Sequence, residues 1–393
     1  MPVMLIKNAV VILPDRLLSG HCILCKSGKI VDILPQGYKD VIVDEVFDAK
    51  GSFLAPGLID LHIHGIHQFL VDSGADDLSK ICTVLPQYGV TSFLPTVCPL
   101  PKGKDSDFLR QLAWASTTGA QILGFHLEGP FLAKTGALPP EAIGKADPVR
   151  VRALIEAAKP YPAIFSVSPD FENVCELITI MAENDRPVFI THTAANVEQT
   201  QKAIAAGACH ATHFYDVFHY PPVIESGVRP CGTLETILAD PKVSVDFILD
   251  GVHVESVAVQ MALVCKGPDR VCLITDANVG AGLPPGRYKA LGSEIEFAYE
   301  GSPARMTENA PYPGGLAGSG LTMDKAVRNA VELLKLSIPQ AVRMASTNPA
   351  QVLRLTDKGQ IKKGFDADLI LLDDHLNVLK TWVKGKCQYS NKF

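Results

Sequence analysis

Histidine and carboxylate residues end several short apolar segments of this 393-residue chain. The set contains four histidines and two acidic residues: His62, His64, Glu128, His192, His213 and Asp276. Imidazole nitrogens mixed with carboxylate oxygens suit Zn²⁺ or Fe²⁺ better than Mg²⁺ or Ca²⁺. A bound divalent cation lowers the pKa of its water to about 7, so hydroxide becomes available at neutral pH. These residue types therefore predict metal-dependent hydrolysis of an amide or a related carbonyl compound.

The spacing of His62 and His64 predicts that both imidazoles lie on one face, because side chains two apart in a strand point the same way. Such a pair alone is equally typical of core or surface histidines. The same placement at Glu128, His192 and His213 makes chance a poor explanation. Asp276 closes the last apolar segment before small, loop-forming residues. We expect its carboxylate to take a proton from water and to give one to a leaving amine.

Eight short apolar runs, with helical patterns between them, must position these residues. The runs are Leu58–His64, Val90–Val97, Gln121–Glu128, Ala163–Ser168, Pro187–His192, Ala208–His213, Val243–Asp250 and Val271–Asp276. Near-continuous hydrophobic strands alternating with helices predict an α/β fold, a (β/α)₈ TIM-like barrel. A doubly wound parallel sheet is the alternative. In a barrel the carboxyl ends of all strands meet at one face, so the polar residues would converge on one pocket.

The two ends of the chain consist of short strand-like segments and turns, and neither is long enough to close a core alone. We expect residues 1–55 and 350–393 to form one small β-sandwich domain. Residues 56–349 then form the barrel. The segment 283–320 is rich in glycine and proline, which predicts an insertion or lid with a small hairpin at Tyr288–Tyr299.

Composition excludes several classes of partner. Lys and Arg total 36 against 42 Asp and Glu, a net charge of −6, which argues against a nucleic-acid partner. No apolar run approaches the ~20 residues of a membrane span, so we expect no membrane partner. Ten scattered cysteines are typical of reduced thiols, which predicts a cytoplasmic protein.

Longer motifs surround the polar residues. They are Ala55-Pro56-Gly57-Leu58-Ile59-Asp60-Leu61-His62-Ile63-His64-Gly65, Gly124-Phe125-His126-Leu127-Glu128-Gly129-Pro130-Phe131, Thr191-His192-Thr193, Ala211-Thr212-His213, Ile274-Thr275-Asp276-Ala277 and Leu316-Ala317-Gly318-Ser319. On these motifs nearly the whole chain resembles the amidohydrolase superfamily. Within it, the His-Leu-Glu-Gly-Pro segment is similar to the N-acetylglucosamine-6-phosphate deacetylase family.

The resemblance implies release of acetate from an N-acetyl amino sugar phosphate by metal-bound hydroxide, with Asp276 as acid and base. It implies zinc or iron, two per chain, because the histidine pair is present. The metal ligands that it implies are His62, His64, Glu128, His192, His213 and Asp276. Many relatives bridge their metals with a carboxylated lysine, but the run Ala163–Ser168 has none, which favours Glu128 as the bridge.

Substrate contacts match the family less closely. His253 corresponds to a histidine that contacts the sugar, and Arg229 to an arginine that a neighbouring subunit offers to the phosphate, which implies a homodimer. After His213 the family usually has an asparagine, an alanine and a hydrophobic residue, whereas this chain reads Phe214-Tyr215-Asp216-Val217-Phe218. A carboxylate at Asp216 repels a phosphate dianion unless a cation lies between them. Leu138 stands where the family usually has a histidine near the amide carbonyl.

Two other functions stay open on these residues. The first is the same chemistry on a different N-acyl compound or a cyclic amide, selected by Leu138 and Asp216. The second is a non-catalytic scaffold that keeps the amidohydrolase fold for partner binding. The complete ligand set argues against the scaffold.

Overall fold

Eight parallel strands form the centre of this fold. The structure is a computed structural model, and it describes residues 3–37, 42–290, 293–310 and 312–391. The outermost residues of both predicted terminal segments, residues 38–41, and the turn of the predicted hairpin at 291–292 lie outside that description. The barrel strands, numbered one to eight here, are Leu58–Ile63, Val90–Val97, Phe125–Glu128, Ala163–Val167, Val188–Ile190, Ala208–Ala211, Ser244–Ile248 and Val271–Ile274.

Each barrel strand pairs in parallel with the next one along the chain. The circle closes between strands eight and one, where the Asp276 N–H donates to the His62 carbonyl at 2.9 Å and Ile63 pairs with Ala277. Nearly every strand position is buried, as expected for strands covered on both faces. The predicted (β/α)₈ barrel is confirmed.

The helices cover the outside of this barrel. Their bounds are Ala75–Val84, Lys104–Ala113, Pro148–Ala157, Val174–Met181, Val197–Ala206, Thr233–Ala239, Ser256–Lys266, Met323–Leu334, Ile338–Met344 and Thr347–Val352. Helix Met323–Leu334 shows why they pack there, because its buried residues recur at helical spacing along one face. Among the described residues, no helix is both long and apolar enough to cross a bilayer.

Strands from both ends of the chain form one eight-stranded sheet beside the barrel. In chain order these strands are Met4–Ile12, Leu17–Lys26, Lys29–Pro35, Glu45–Asp48, Phe53–Pro56, Leu369–Leu372, Val378–Val383 and Lys386–Ser390. The two ends join where Leu54 pairs with Leu371 in antiparallel register. Ile30 and Trp382, from distant strands of this sheet, belong to one core cluster, so the sheet curls over its own core.

We propose the domain boundaries expected from the sequence, 1–55 with 350–393 and 56–349, because the sheet and the barrel have separate core clusters. Helix Thr347–Val352 crosses that boundary, and its buried Ala350 packs in the barrel core.

The segment 283–320 holds four antiparallel strands, a larger unit than a hairpin. They are Gly286–Ala290, Ser293–Phe297, Pro303–Met306 and Leu316–Ser319.

A buried ionic network links the terminal sheet to the segment that follows the barrel. The Lys358 ammonium lies 2.7 Å from the carboxylates of Asp366 and Asp368. Lys29 reaches Asp366 at 2.6 Å, and the Gln121 amide donates to Asp368 at 3.0 Å. Each buried charge therefore has an opposite charge or a donor beside it, which burial requires.

Candidate metal centre

Six polar side chains meet at the carboxyl ends of the barrel strands. They are the four histidines and two acidic residues predicted from the sequence: His62, His64, Glu128, His192, His213 and Asp276. All six are buried, with at most 7 % of any residue exposed. Their convergence follows from the barrel, which brings strand ends far apart in sequence to one face.

Glu128 stands at the centre of this cluster, and its two oxygens divide the histidines into pairs. Oε1 lies 3.2 Å from His192 Nε2 and 3.0 Å from His213 Nε2. Oε2 lies 3.2 Å from His64 Nε2 and 3.7 Å from His62 Nε2. One carboxylate thus faces two separate pairs of imidazole nitrogens.

Asp276 faces the pair formed by His62 and His64. Its Oδ1 lies 3.3 Å from His62 Nε2 and 3.4 Å from His64 Nε2. The ligand atoms of His62, His64 and Asp276 lie within 4.8 Å of one another, as do those of His62, Glu128 and His213. The cluster therefore offers two overlapping groups of donors.

Each of the four rings directs Nε2 inward, and a different protein group holds its Nδ1. The four Nδ1 partners are Thr212 Oγ1 for His62 at 3.2 Å, Cys98 Sγ for His64 at 3.6 Å, the Lys134 carbonyl for His192 at 3.0 Å and the Asp216 carbonyl for His213 at 3.3 Å. Outer partners of this kind fix the orientation of metal-binding histidines.

The donor set fits a divalent metal. His62 Nε2 and His64 Nε2 lie 3.2 Å apart, so at most one proton can stand between them, whereas a cation suits both lone pairs. Four imidazoles with two carboxylates match the ligands of Zn²⁺ and Fe²⁺. Barrel strand four carries Ser166 and no lysine, so Glu128 is the group placed between the two histidine pairs.

The carboxylates and histidines of the cluster shift one another's pKa values. Burial raises the pKa of Glu128, but His62, His192 and His213 together hold that pKa well below its usual value. Burial lowers the pKa of His64, whereas the carboxylates of Glu128 and Asp276 raise it to about 9. The same opposition brings the pKa of His213 to about 10. Without a metal, the site compensates its carboxylates with protons on histidine.

Three residues of the cluster have left-handed backbones, which residues other than glycine rarely adopt. Their φ angles are +50° at His192, +34° at His213 and +46° at Asp276. The Ser168 hydroxyl donates to the His192 carbonyl at 2.7 Å, and the Ser319 N–H donates to the Asp276 carbonyl at 2.8 Å. Strained backbone of this kind persists only where neighbouring groups hold it.

Two fully buried carboxylates, those of Asp246 and Asp60, accept hydrogen bonds from backbone N–H groups at the strand ends. Asp246 accepts the His213 N–H at 2.6 Å, and its other oxygen lies 2.8 Å from His210 Nε2. Asp60 accepts the N–H groups of His62 and Thr275, both at 3.2 Å. Burial raises the pKa of Asp60 to about 7. These carboxylates fix the strand ends from which the cluster projects.

His126 lies behind the cluster. Its ring packs edge-on against His62 with centroids 4.5 Å apart, and its nitrogens contact the hydroxyls of Thr96 and Ser166. Burial and the nearby histidines lower its pKa well below the usual value, so the ring is neutral. Its place is that of a support for His62.

Two of the predicted substrate residues, His253 and Asp216, lie near the cluster. The side chain of His253 is buried, with Nδ1 2.7 Å from Asp250 Oδ2, and its Nε2 has no hydrogen-bond partner among the described residues. Burial lowers the pKa of His253, but Asp250 raises it more. The Asp216 carboxylate also raises the pKa of His253 and of His213, so it lies near both.

The other predicted substrate residues, Arg229, Leu138 and Tyr215, have packing or ionic contacts with other parts of the chain. Arg229 is exposed in a single chain, where it pairs with Glu235 at 2.9 Å and lies over the Tyr220 ring. Leu138 is buried in a small apolar cluster with Cys98. Tyr215 is half-buried and packs edge-on against Phe214, so its ring supports the backbone after His213.

Sequence reasoning missed the groups behind the ligands. Asp60 carried a signal, because it precedes His62 by two residues and so shares its face of the strand. Asp246 carried a weaker one, as a carboxylate within an apolar run. Asp72 and Cys98, which contact His64 or each other, gave no signal, because only the fold brings them near that ring.

Comparison with known proteins gives the family. The amidohydrolase family model matches residues 53–388. An N-acetylglucosamine-6-phosphate deacetylase from Lysinibacillus sphaericus is 33% identical, covering 92% of this chain and 91% of that protein. An N-acetylgalactosamine-6-phosphate deacetylase from Escherichia coli O157:H7 is 32% identical, covering 94% and 95%. The crystal structure of N-acetylglucosamine-6-phosphate deacetylase from Pasteurella multocida superposes with a TM-score of 0.87 at 26% identity, covering 99% of this chain and 100% of that one. The chain belongs to the amidohydrolase family.

Proposed function

We propose that this amidohydrolase is a metal-dependent N-acetylglucosamine-6-phosphate deacetylase, which hydrolyses the amide of its substrate to acetate and the free amino sugar phosphate. The observation that carries the proposal is Glu128, whose two oxygens face two separate pairs of imidazoles. The Lysinibacillus sphaericus relative named for that activity matches over nine-tenths of both chains.

His192, His213 and Glu128 would hold one divalent cation, and His62, His64 and Asp276 a second, with Glu128 between them. The donor set suits zinc or iron(II). When bound, such a cation polarises the amide carbonyl and acidifies water.

Asp276 serves as the proton carrier in this proposal. Its carboxylate closes barrel strand eight beside His62 and His64, and the Ser319 N–H fixes its backbone. There it takes a proton from the attacking water and delivers it to the nitrogen that departs. The amine leaves protonated, which the C–N bond needs in order to break at neutral pH.

His253 orients the substrate. Its Nδ1 is held by Asp250, and its Nε2 is buried without a protein partner in the described part of the chain. Because Asp250 favours the charged ring, Nε2 carries a proton and donates to a substrate oxygen. Asp216 contributes a carboxylate nearby, which accepts from sugar hydroxyls and must be kept from the phosphate by a cation.

The cation that we propose for the phosphate is the guanidinium of Arg229 from a second copy of the chain. We propose a cytoplasmic homodimer in which Arg229 serves the neighbouring site, because Arg229 is exposed and directly follows a segment with exposed apolar residues, Ile224 and Val228. Exposed apolar side chains of this size are typical of protein interfaces. Light scattering of the wild type and of Ile224→Asp tests the proposal, which expects a dimer and a monomer respectively. No nucleic acid or membrane takes part.

A second candidate substrate is the epimer N-acetylgalactosamine 6-phosphate. The Escherichia coli relative named for it is about as similar to this chain as the first relative is. The two sugars differ only in the orientation of one hydroxyl, so the metal chemistry is the same for both.

Acetate release tests the function. Protein with a measured metal content is incubated with both N-acetyl hexosamine 6-phosphates and with unphosphorylated N-acetylglucosamine. We expect acetate from a phosphorylated sugar and about 10²- to 10⁴-fold less from Asp276→Asn, provided that the variant has the same fold. Fully metallated wild type that releases no acetate from either phosphate contradicts the proposal, and faster turnover of the free sugar favours another N-acyl substrate.

A further inference from the structure

His64 differs from the other three histidines in the partner of its outer nitrogen. Oxygen atoms hold Nδ1 of His62, His192 and His213, whereas Nδ1 of His64 faces the Cys98 thiol at 3.6 Å. A thiol is a weak acceptor and a weak donor. The ring that completes the second donor group is thus held by the softest of the four outer contacts.

Asp72 lies directly behind this thiol. Its Oδ1 accepts the Cys98 N–H at 3.0 Å, and ligand atoms of His64, Asp72 and Cys98 lie within 4.8 Å of one another. The other oxygen, Oδ2, is buried and has no hydrogen-bond partner among the residues that the structure describes. A buried carboxylate oxygen needs a donor, and the nearby Cys98 thiol, whose sulfur lies within 4.8 Å of an Asp72 carboxylate oxygen, can supply one by turning its S–H toward the carboxylate.

Apolar side chains close this arrangement on another side. Cys98 is only 4% exposed and packs in a small cluster with Leu132 and Leu138. The cluster excludes water from the thiol, so no solvent oxygen competes for the contact with His64. In a dry environment a weak hydrogen bond counts for more than it does in water.

We propose that Cys98 and Asp72 are positioning residues for the second cation, acting through His64. The His64 Nδ1–H donates to Cys98 Sγ, and the Cys98 S–H donates to the Asp72 carboxylate. The lone pair of His64 Nε2 is then directed at Glu128 and Asp276, where the cation binds. This inference rests on the second metal position of the proposed function.

Outer partners of metal-binding histidines typically change affinity about 10- to 100-fold when they are removed. Of the two metal positions, the one built on His62 and His64 depends on Cys98 and Asp72. In the one built on His192 and His213, backbone carbonyls hold the Nδ1 atoms of both rings. We therefore expect a selective loss of one of two cations.

The experiment compares metal binding in Cys98→Ser, Cys98→Val and Asp72→Asn with the wild type. Serine keeps a group that both accepts and donates, whereas valine fills similar space without either ability. Leu132→Val is the matched control, because it disturbs the same apolar cluster without a polar contact to His64. Metal-stripped protein is titrated with Co²⁺, and the two dissociation constants are read from competition with a chromogenic chelator and from the cobalt d–d absorption.

We expect Cys98→Val and Asp72→Asn to bind the first Co²⁺ normally and the second about 10- to 100-fold more weakly. Cys98→Ser and Leu132→Val should stay within about threefold of the wild type. Wild-type affinity for both cations in Cys98→Val overturns the proposal, as does an equal loss in Leu132→Val. Wild type that binds fewer than two cations contradicts the metal centre of the proposed function itself.

Discussion

Asp246 offers a test of how the fold holds a metal ligand in a strained backbone. The carboxylate is fully buried, accepts the His213 N–H at 2.6 Å and contacts His210 Nε2 at 2.8 Å. Asp246→Ala leaves both groups buried and unpaired, at a cost of about 1–3 kcal/mol each. We therefore expect the unfolding free energy of the metal-free protein to fall by about 2–6 kcal/mol.

Asp246→Asn should be much milder. The amide oxygen can accept the His213 N–H and the amide nitrogen can donate to His210, so the loss is about 1 kcal/mol, the step from a charged to a neutral hydrogen bond.

Metal makes the prediction sharper. If Asp246 positions His213 for a cation, Asp246→Ala also weakens metal binding, by about 10- to 100-fold. A cation that binds only the folded state then contributes about 1.4–2.7 kcal/mol less at saturation. Urea unfolding followed by circular dichroism, with zinc and with chelator, measures both values.

Ser244→Ala is the matched control, because Ser244 bonds the other nitrogen of His210 at 2.7 Å and has no hydrogen bond to His213 in the described structure. It should lower stability equally with and without zinc. If Asp246→Ala lowers the unfolding free energy by the same amount in zinc and in chelator, the reasoning is refuted, because Asp246 then supports the fold but does not position His213 for the cation.

The remaining predictions concern charge. Lys358→Met should lower the unfolding free energy by about 3 kcal/mol, because it removes the buried cation that the carboxylates of Asp366 and Asp368 share, and a change below about 1 kcal/mol in urea unfolding contradicts this. Burial raises the pKa of Asp366, but Lys29 and Lys358 lower it below the usual value. The difference in unfolding free energy between the wild type and Asp366→Asn should therefore be at its full value above about pH 5 and decline as the pH falls through the lowered pKa. A difference that stays constant down to about pH 2 argues against this. Metal uptake at pH 7 should release about two protons per chain, because His64 and His213 are protonated in the metal-free site and must lose a proton to bind. A pH indicator in weak buffer detects them, and no release contradicts the charge state.

The barrel could be predicted from the sequence because its strands are short, apolar and regularly spaced. The meeting of both chain ends in one sheet was also accessible, since neither end could bury its own apolar face. Of the four strands in 283–320 only one hairpin could be predicted, because strands such as Gly286–Ala290 are short, have a single buried residue and so lack an apolar run.

The cluster could be predicted because ligands at strand ends converge in any barrel. What supports the cluster could not. Asp72 lies further along the same connection as His64, Cys98 follows barrel strand two, and only the fold decides which atom meets the His64 Nδ1. The left-handed backbone at His213 was equally hidden, because histidine has no intrinsic preference for it and Asp246, 33 residues away, holds it.

Anomalous diffraction from crystals of the metal-loaded protein tests the central claim most directly. Data collected on both sides of the zinc or iron absorption edge should give two peaks per chain on either side of Glu128. One should lie about 2.0–2.1 Å from Nε2 of His192 and His213, and the other at the same distance from Nε2 of His62 and His64. Fully loaded crystals with no peak within bonding distance of Glu128 would contradict the metal centre, and with it the hydrolysis proposed here.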